Sequence, residues 1–162
     1  MKKLHAISIT LLMLFVPLML QAQNWTEEQQ EFLDHFKLIW DKIEETNEAN
    51  HDTWKNIVNP QDDLTWWFTG QSMPYDLEAV KKWHQGWETL ETKYTYTNIR
   101  PIDIKIIDNM AMIWFYVYGK WEDKNGKRNT WEDQRLEIFH KKDGKWFFVG
   151  GMVNEIKSFS GD

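Results

Sequence analysis

The chain has 162 residues, enough for one domain with a sizeable core. It contains no cysteine, which excludes a disulfide framework, a thiol nucleophile and a thiolate metal site. A formal charge of -6 argues against a nucleic-acid groove and an anionic membrane surface, and 11 tryptophans require either a tryptophan-heavy core or a stacking pocket.

The first 22 residues have the pattern of a secretory signal. Lys2 and Lys3 precede an apolar run from Ala6 to Leu20, broken by Pro17 and ending in Leu20-Gln21-Ala22. The run is short for a membrane span of about 20 residues. Cleavage after Ala22 predicts a signal peptide over 1–22, an α+β domain over 23–162, and a secreted or periplasmic protein that leaves the membrane once the signal is removed.

Thr26-Glu27-Glu28-Gln29 has the spacing of a capping box and opens a helix. Phe32, Phe36, Ile39, Trp40 and Ile43 recur there at helical spacing, which predicts a helix to about Ala49. Asp52 is placed to cap a short second helix carrying Trp54, Ile57 and Val58, and Leu64 to Phe68 is a short strand or turn entering the core. Asp76 caps a third helix, with Leu77, Val80, Trp83, His84 and Trp87 on one stripe.

From Thr92 the period changes to two, and four strands follow as an antiparallel meander. Pro101 predicts a bulge in the first of them. Asp108-Asn109, Asn125-Gly126 and Asp143-Gly144 are the turns between them. The Asp143-Gly144 pair also sets a register: Lys142 faces Lys145, and carrying that pairing outward puts Lys141 with Trp146, Phe139 with Phe148, Glu137 with Gly150, Arg135 with Met152 and Asp133 with Asn154 on one face. The opposite face carries Gln134, Leu136, Ile138 and His140 with Phe147, Val149, Gly151 and Val153 and is almost wholly apolar.

The long first helix, Asp63 to Phe68 before a loop, the helix LEAVKKWHQGW, Asp108-Asn109-Met110-Ala111 before a strand, and the closing hairpin HKKDGKWFFVGGMVN occur in a telling order. In that order and spacing, from Glu28 to Ile156, the chain resembles the nuclear transport factor 2-like superfamily and, within it, the SnoaL-like group. The closing hairpin is similar to that of the association domain of calmodulin-dependent kinases. The resemblance implies an α+β fold: a cone-shaped, curved antiparallel sheet wrapped around three N-terminal helices, with a pocket at its open end. It also implies a homodimer through the convex sheet face. The chain departs from many SnoaL-like members by having Gly150 and Met152 where a polar residue stands near the end of the last strand.

The resemblance places the Asp133, Arg135 and Glu137 row on the concave face, because the association domain's pocket arginine aligns with Glu137. An arginine there binds a planar anion, and a flanking carboxylate can serve as a general base. The same row on a solvated strand face is instead a set of weak surface pairs. The expected ligand-binding set is Arg135, Asp133, Glu137, Trp40, Trp66, Met152 and Asn154, with Asp133 and Glu137 as candidate catalytic carboxylates. His84 is expected to be packed, and His35, His51 and His140 exposed. No metal, cofactor or nucleic-acid motif is present. The functional expectation is a domain that binds a small, largely apolar molecule without catalysis. The alternatives are a cyclase or isomerase using a pocket carboxylate, and a structural homodimer whose pocket is filled by its own side chains.

Overall fold

Phe32, Phe36, Ile39 and Trp40 lie on one side of a helix, and in the computed structural model, which describes residues 24–46 and 50–160, that side is buried. Helix α1 spans Glu27–Thr46. Its start is a closed capping box: the Thr26 amide donates to Gln29 Oε1 at 2.9 Å and the Gln29 amide to Thr26 Oγ1 at 3.2 Å. The expected extension to Ala49 and the signal segment lie outside the described residues.

Helix α2 (His51–Val58) is capped by Asn50, not Asp52 as the sequence suggested. Asn50 has extended backbone and its side chain accepts from the Thr53 amide at 2.8 Å, whereas Asp52 already lies inside the first turn. Helix α3 (Leu77–Thr89) begins at Asp76, whose Oδ1 accepts from the Ala79 amide at 2.8 Å. Replacing Asp76 with alanine is expected to cost about 1 kcal/mol. Calorimetry would read this as a fall of about 3 °C in Tm.

Five strands form one sheet: β1 (Pro60–Phe68), β2 (Lys93–Ile107), β3 (Met110–Glu122), β4 (Arg128–Lys142) and β5 (Lys145–Ser160). Their order is β1-β5-β4-β3-β2. The last four make the antiparallel meander, and β1 adds a parallel edge beside β5. The short strand expected at Leu64 to Phe68 is therefore longer and belongs to the sheet. Asp143 and Gly144 turn the closing hairpin with φ of 51° and 74°, and a register shift falls at Pro101/Asp103.

The inner face of β3 carries Ala111, Ile113, Phe115 and Val117, all fully buried. Phe32 and Phe36 of α1 meet it and β4 edge-on, with ring centroids 5.5 Å from Phe139 and 4.9 Å from Phe115. Each such ring contributes about 1.5–3 kcal/mol by leaving water.

Near the turn, the predicted pairing of β4 with β5 is observed: Lys142 faces Lys145, and Phe139 faces Phe148. Beyond that point Ile138 faces Gly150, so Val149 is an extra residue and the strand bulges. Glu137 then faces Gly151 rather than Gly150, Arg135 faces Val153 rather than Met152, and Asp133 faces Glu155 rather than Asn154. The cause is the close approach of β1. A Cβ on Gly150, whose φ is 146°, would stand 1.9 Å from the Thr65 carbonyl oxygen.

Candidate functional site

Side chains alternate along β4, so Trp131, Asp133, Arg135, Glu137 and Phe139 share the concave face. Asp133 and Glu137 are 5% and 7% exposed, while Leu136 and Ile138 on the convex face are only half-buried. Trp131, Asp133, Arg135 and Glu137 of this row line a cavity of about 440 Å³. Helix α1 contributes Ile39, Trp40 and Ile43, α2 contributes Trp54 and Ile57, and β1 contributes Trp66 and Phe68. Helix α3 adds Trp83, His84 and Trp87, and Tyr94, Trp121, Val153 and Glu155 complete the sheet side.

Arg135 is the centre of the polar floor. Its Nη2 and Nε donate to Asp133 Oδ2 at 2.6 and 3.1 Å, and its Nη1 lies 3.8 Å from Glu137 Oε1. The guanidinium carbon also stands 5.3 Å from the Trp40 ring centre and 5.9 Å from that of Trp66. Asp133 thus takes two of the arginine's N–H groups, with Glu137 and two indoles beside it. An anionic ligand would have to compete with these buried carboxylates for the guanidinium.

Burial pushes the Glu137 carboxyl up to about 7, against the opposing pull of Arg135. Burial also raises the Tyr94 phenol to about 12. For Glu137 the unfolded chain releases its proton near 4.5 and the folded chain near 7. Between those values the folded state holds more proton, so this group's stabilisation is complete below pH 4.5 and is lost as pH rises through 7. The loss is on the order of 3 kcal/mol. Urea unfolding at pH 5 and pH 7.5 should show it in the wild type and not in Glu137→Gln. Equal pH dependence in both would assign the effect elsewhere.

His84 is buried, and its Nδ1 lies 3.3 Å from Nδ1 of His51. His51 was expected at the surface but is buried too, because this pairing and the Trp54 ring, 5.8 Å away, cover it. Burial, then the neighbouring His51, lowers His84 to about 4, so the pair is neutral at pH 7 and one ring donates to the other. His35 and His140 are partly buried rather than exposed, His140 lying between Gln61 and Asn109.

The structure brings Trp40, Trp66, Asp133, Arg135 and Glu137 together around the cavity and removes two others. Met152 is 54% exposed, and neither it nor Asn154, which accepts from Thr69 Oγ1, lines the cavity. The bulge at Val149 turns both to the convex face and puts Val153 and Glu155 in their place. Sequence reasoning also missed Trp87, Tyr94, Trp121 and Trp131 as wall residues. Trp131 alone carried a usable signal, being two residues from Asp133 and so on the same face. Seven of the 11 tryptophans line the cavity, so the indoles serve the pocket as well as the core.

The sequence model of the calcium/calmodulin dependent protein kinase II association domain matches residues 28–152. The chain belongs to this association-domain family. The association domain has the nuclear transport factor 2-like fold, and membership of the SnoaL-like group is consistent with it. Solved structures agree on the fold. A ketosteroid isomerase-like protein from Erwinia carotovora atroseptica superposes with a TM-score of 0.63 at 12% identity, covering 82% of this chain and 99% of its own. An NTF2-like protein from Cytophaga hutchinsonii gives 0.56 at 18% identity, covering 81% and 100%. A putative association domain from Xanthomonas campestris gives 0.57 at 17% identity, covering 81% and 89%. At these identities the likeness is one of architecture. No curated protein sequence matches the chain. In this chain the cavity arginine is paired with its own Asp133 and lies beside Glu137.

Proposed function

We propose that this association-domain protein is exported and binds a small, largely apolar molecule in its cone cavity, without catalysing a reaction. The observation that carries this is the cavity itself: about 440 Å³, walled by indoles, with its arginine already paired by Asp133 and Glu137. Pockets of about 300–1,000 Å³ with apolar walls and a few convergent polar groups suit small ligands. Native mass spectrometry of the purified protein, followed by solvent extraction, tests it. A retained small molecule supports the reading. An empty protein that binds nothing from a panel of apolar compounds counts against it and favours a domain stabilised by its own indoles.

The raised carboxyl of Glu137 favours one second reading, an isomerase- or cyclase-type enzyme in which Glu137 removes a proton. Asp133, locked to Arg135 at 2.6 Å, is the poorer base of the two. Turnover that follows a pKa near 7 and is lost in Glu137→Gln would establish that reading.

The convex face supports a homodimer. Trp67, Met152, Leu136 and Trp114 are cross-strand partners in one row across four strands, and Trp67 and Met152 are exposed. No nucleic acid and, after removal of the signal, no membrane enters this proposal.

A further inference from the structure

The proposed ligand site carries an excess of negative charge that the protein does not neutralise. The carboxyl groups lining the cavity are those of Asp133, Glu137 and Glu155, and its one guanidinium is that of Arg135. With Glu137 holding its proton until about pH 7, Asp133 and Glu155 still outnumber the single guanidinium. Arg135 is committed to Asp133 and Glu137. Glu155 is the cross-strand partner of Asp133, so two carboxylates stand directly opposite each other, an unfavourable pair in a sheet. Glu155 is exposed to solvent and, among the described residues, takes part in no ion pair, so its charge is free to meet an occupant at the solvent side of the cavity.

Beside this pair stands a wall of aromatic faces. Trp131 precedes Asp133 by two positions on β4, and its ring lies 5.6 Å from that of Tyr94. Trp87 links the group, 6.4 Å from Tyr94 and 5.2 Å from Trp121. The Trp131 ring lies across Gly119, its partner on β3, so closely that a Cβ there would stand 2.0 Å from it. All four rings line the cavity. Independently, the indole Nε1 of Trp66, a buried cavity residue, has no hydrogen-bond partner among the described residues, a donor that a hydroxyl or carbonyl oxygen of an occupant, rather than its cationic head, would satisfy.

Electron-rich aromatic faces beside unneutralised carboxylates attract a cation with an apolar skin. An ammonium bearing methyl groups meets both surfaces at once, whereas an anion meets repulsion from Glu155 and finds Arg135 occupied. We propose that the ligand of this cavity is a small organic cation, an amine or quaternary ammonium, whose charged head lies between the Trp131 wall and Glu155. This rests on the reading of the cavity as a small-molecule site and adds the charge class of its occupant.

Three soluble probes of nearly equal shape separate the two ideas: choline, the neutral 3,3-dimethylbutan-1-ol, and the anionic 3,3-dimethylbutanoate. Titrations followed by tryptophan fluorescence and by ligand NMR should show choline binding on the order of tenfold tighter than the neutral alcohol. The anion should bind most weakly, and the choline affinity should fall as salt rises. Glu155→Gln is expected to remove most of the preference for choline over the alcohol. Trp131→Leu is expected to weaken choline, with thermal unfolding confirming that both variants fold. Equal binding of choline and the alcohol, or preference for the anion, overturns the cation assignment and leaves the apolar cavity intact. Binding of none of the three overturns the cation assignment and counts against the ligand reading beneath it.

Discussion

Replacing Gly150 with alanine is expected to destabilise the protein by about 3 kcal/mol or more, the sum of a forced contact and backbone strain. The added Cβ would stand 1.9 Å from the Thr65 carbonyl oxygen and 2.8 Å from its carbon, and both are backbone atoms. No side-chain rotation relieves that contact, so β1 must move away from β5. The φ of 146° adds strain for any residue with a side chain. Thermal denaturation should show a loss of about 10 °C. Hydrogen exchange should place the opening at Thr65 to Phe68, where β1 pairs with Gly150 to Val153. A variant with near wild-type Tm would mean that β1 is not held against Gly150.

Arg135→Ala is the second large effect. Asp133 and Glu137 are both buried, and the guanidinium is their shared counter-charge. Removing one side of such a cluster typically costs about 3–5 kcal/mol, because the charges left behind stay buried and unpaired. The loss should grow as pH rises, since Glu137 then loses the only cation opposing its burial. Stacking on Trp40 and Trp66 is lost as well. A triple variant, Asp133→Leu with Arg135→Met and Glu137→Leu, should recover most of the stability in urea titrations, since a well-packed apolar replacement avoids the desolvation of charge. If the single and triple variants were equally unstable, the cluster's shape rather than its charge would be what the fold requires.

Local signals in the chain specified much of this architecture. The capping box at Thr26, the Asp143-Gly144 turn and the apolar stripe of α1 each act over a few residues, and each appears where the sequence places it. Alternation along β4 likewise puts Asp133, Arg135 and Glu137 on one buried face. What local signals could not supply came from distant chain. Val149 bulges because β1 presses its Thr65 carbonyl against Gly150, a contact between residues far apart in sequence. His51 is buried because His84, on another helix, lies beside it. A parallel edge strand has no turn to announce it, so the pairing of β1 with β5 left no mark in the sequence. The aromatic wall is drawn from α3, β2, β3 and β4, and only their convergence makes Trp87, Tyr94, Trp121 and Trp131 neighbours.

The extra residue at Val149 acts as a spatial frame shift. Upstream of it, parity along β5 directs Trp146 and Phe148 inward; downstream, Val153 and Glu155 take the inward positions and Met152 and Asn154 turn out. With Val149 kept but the bulge flattened into regular pairing, a valine and a carboxylate on the cavity wall would give way to a thioether and an amide. Deleting Val149 itself would instead leave Val153 and Glu155 facing inward. Whether this one residue is bulged or paired therefore decides which chemistry half a strand presents to the cavity, with no substitution inside the pocket.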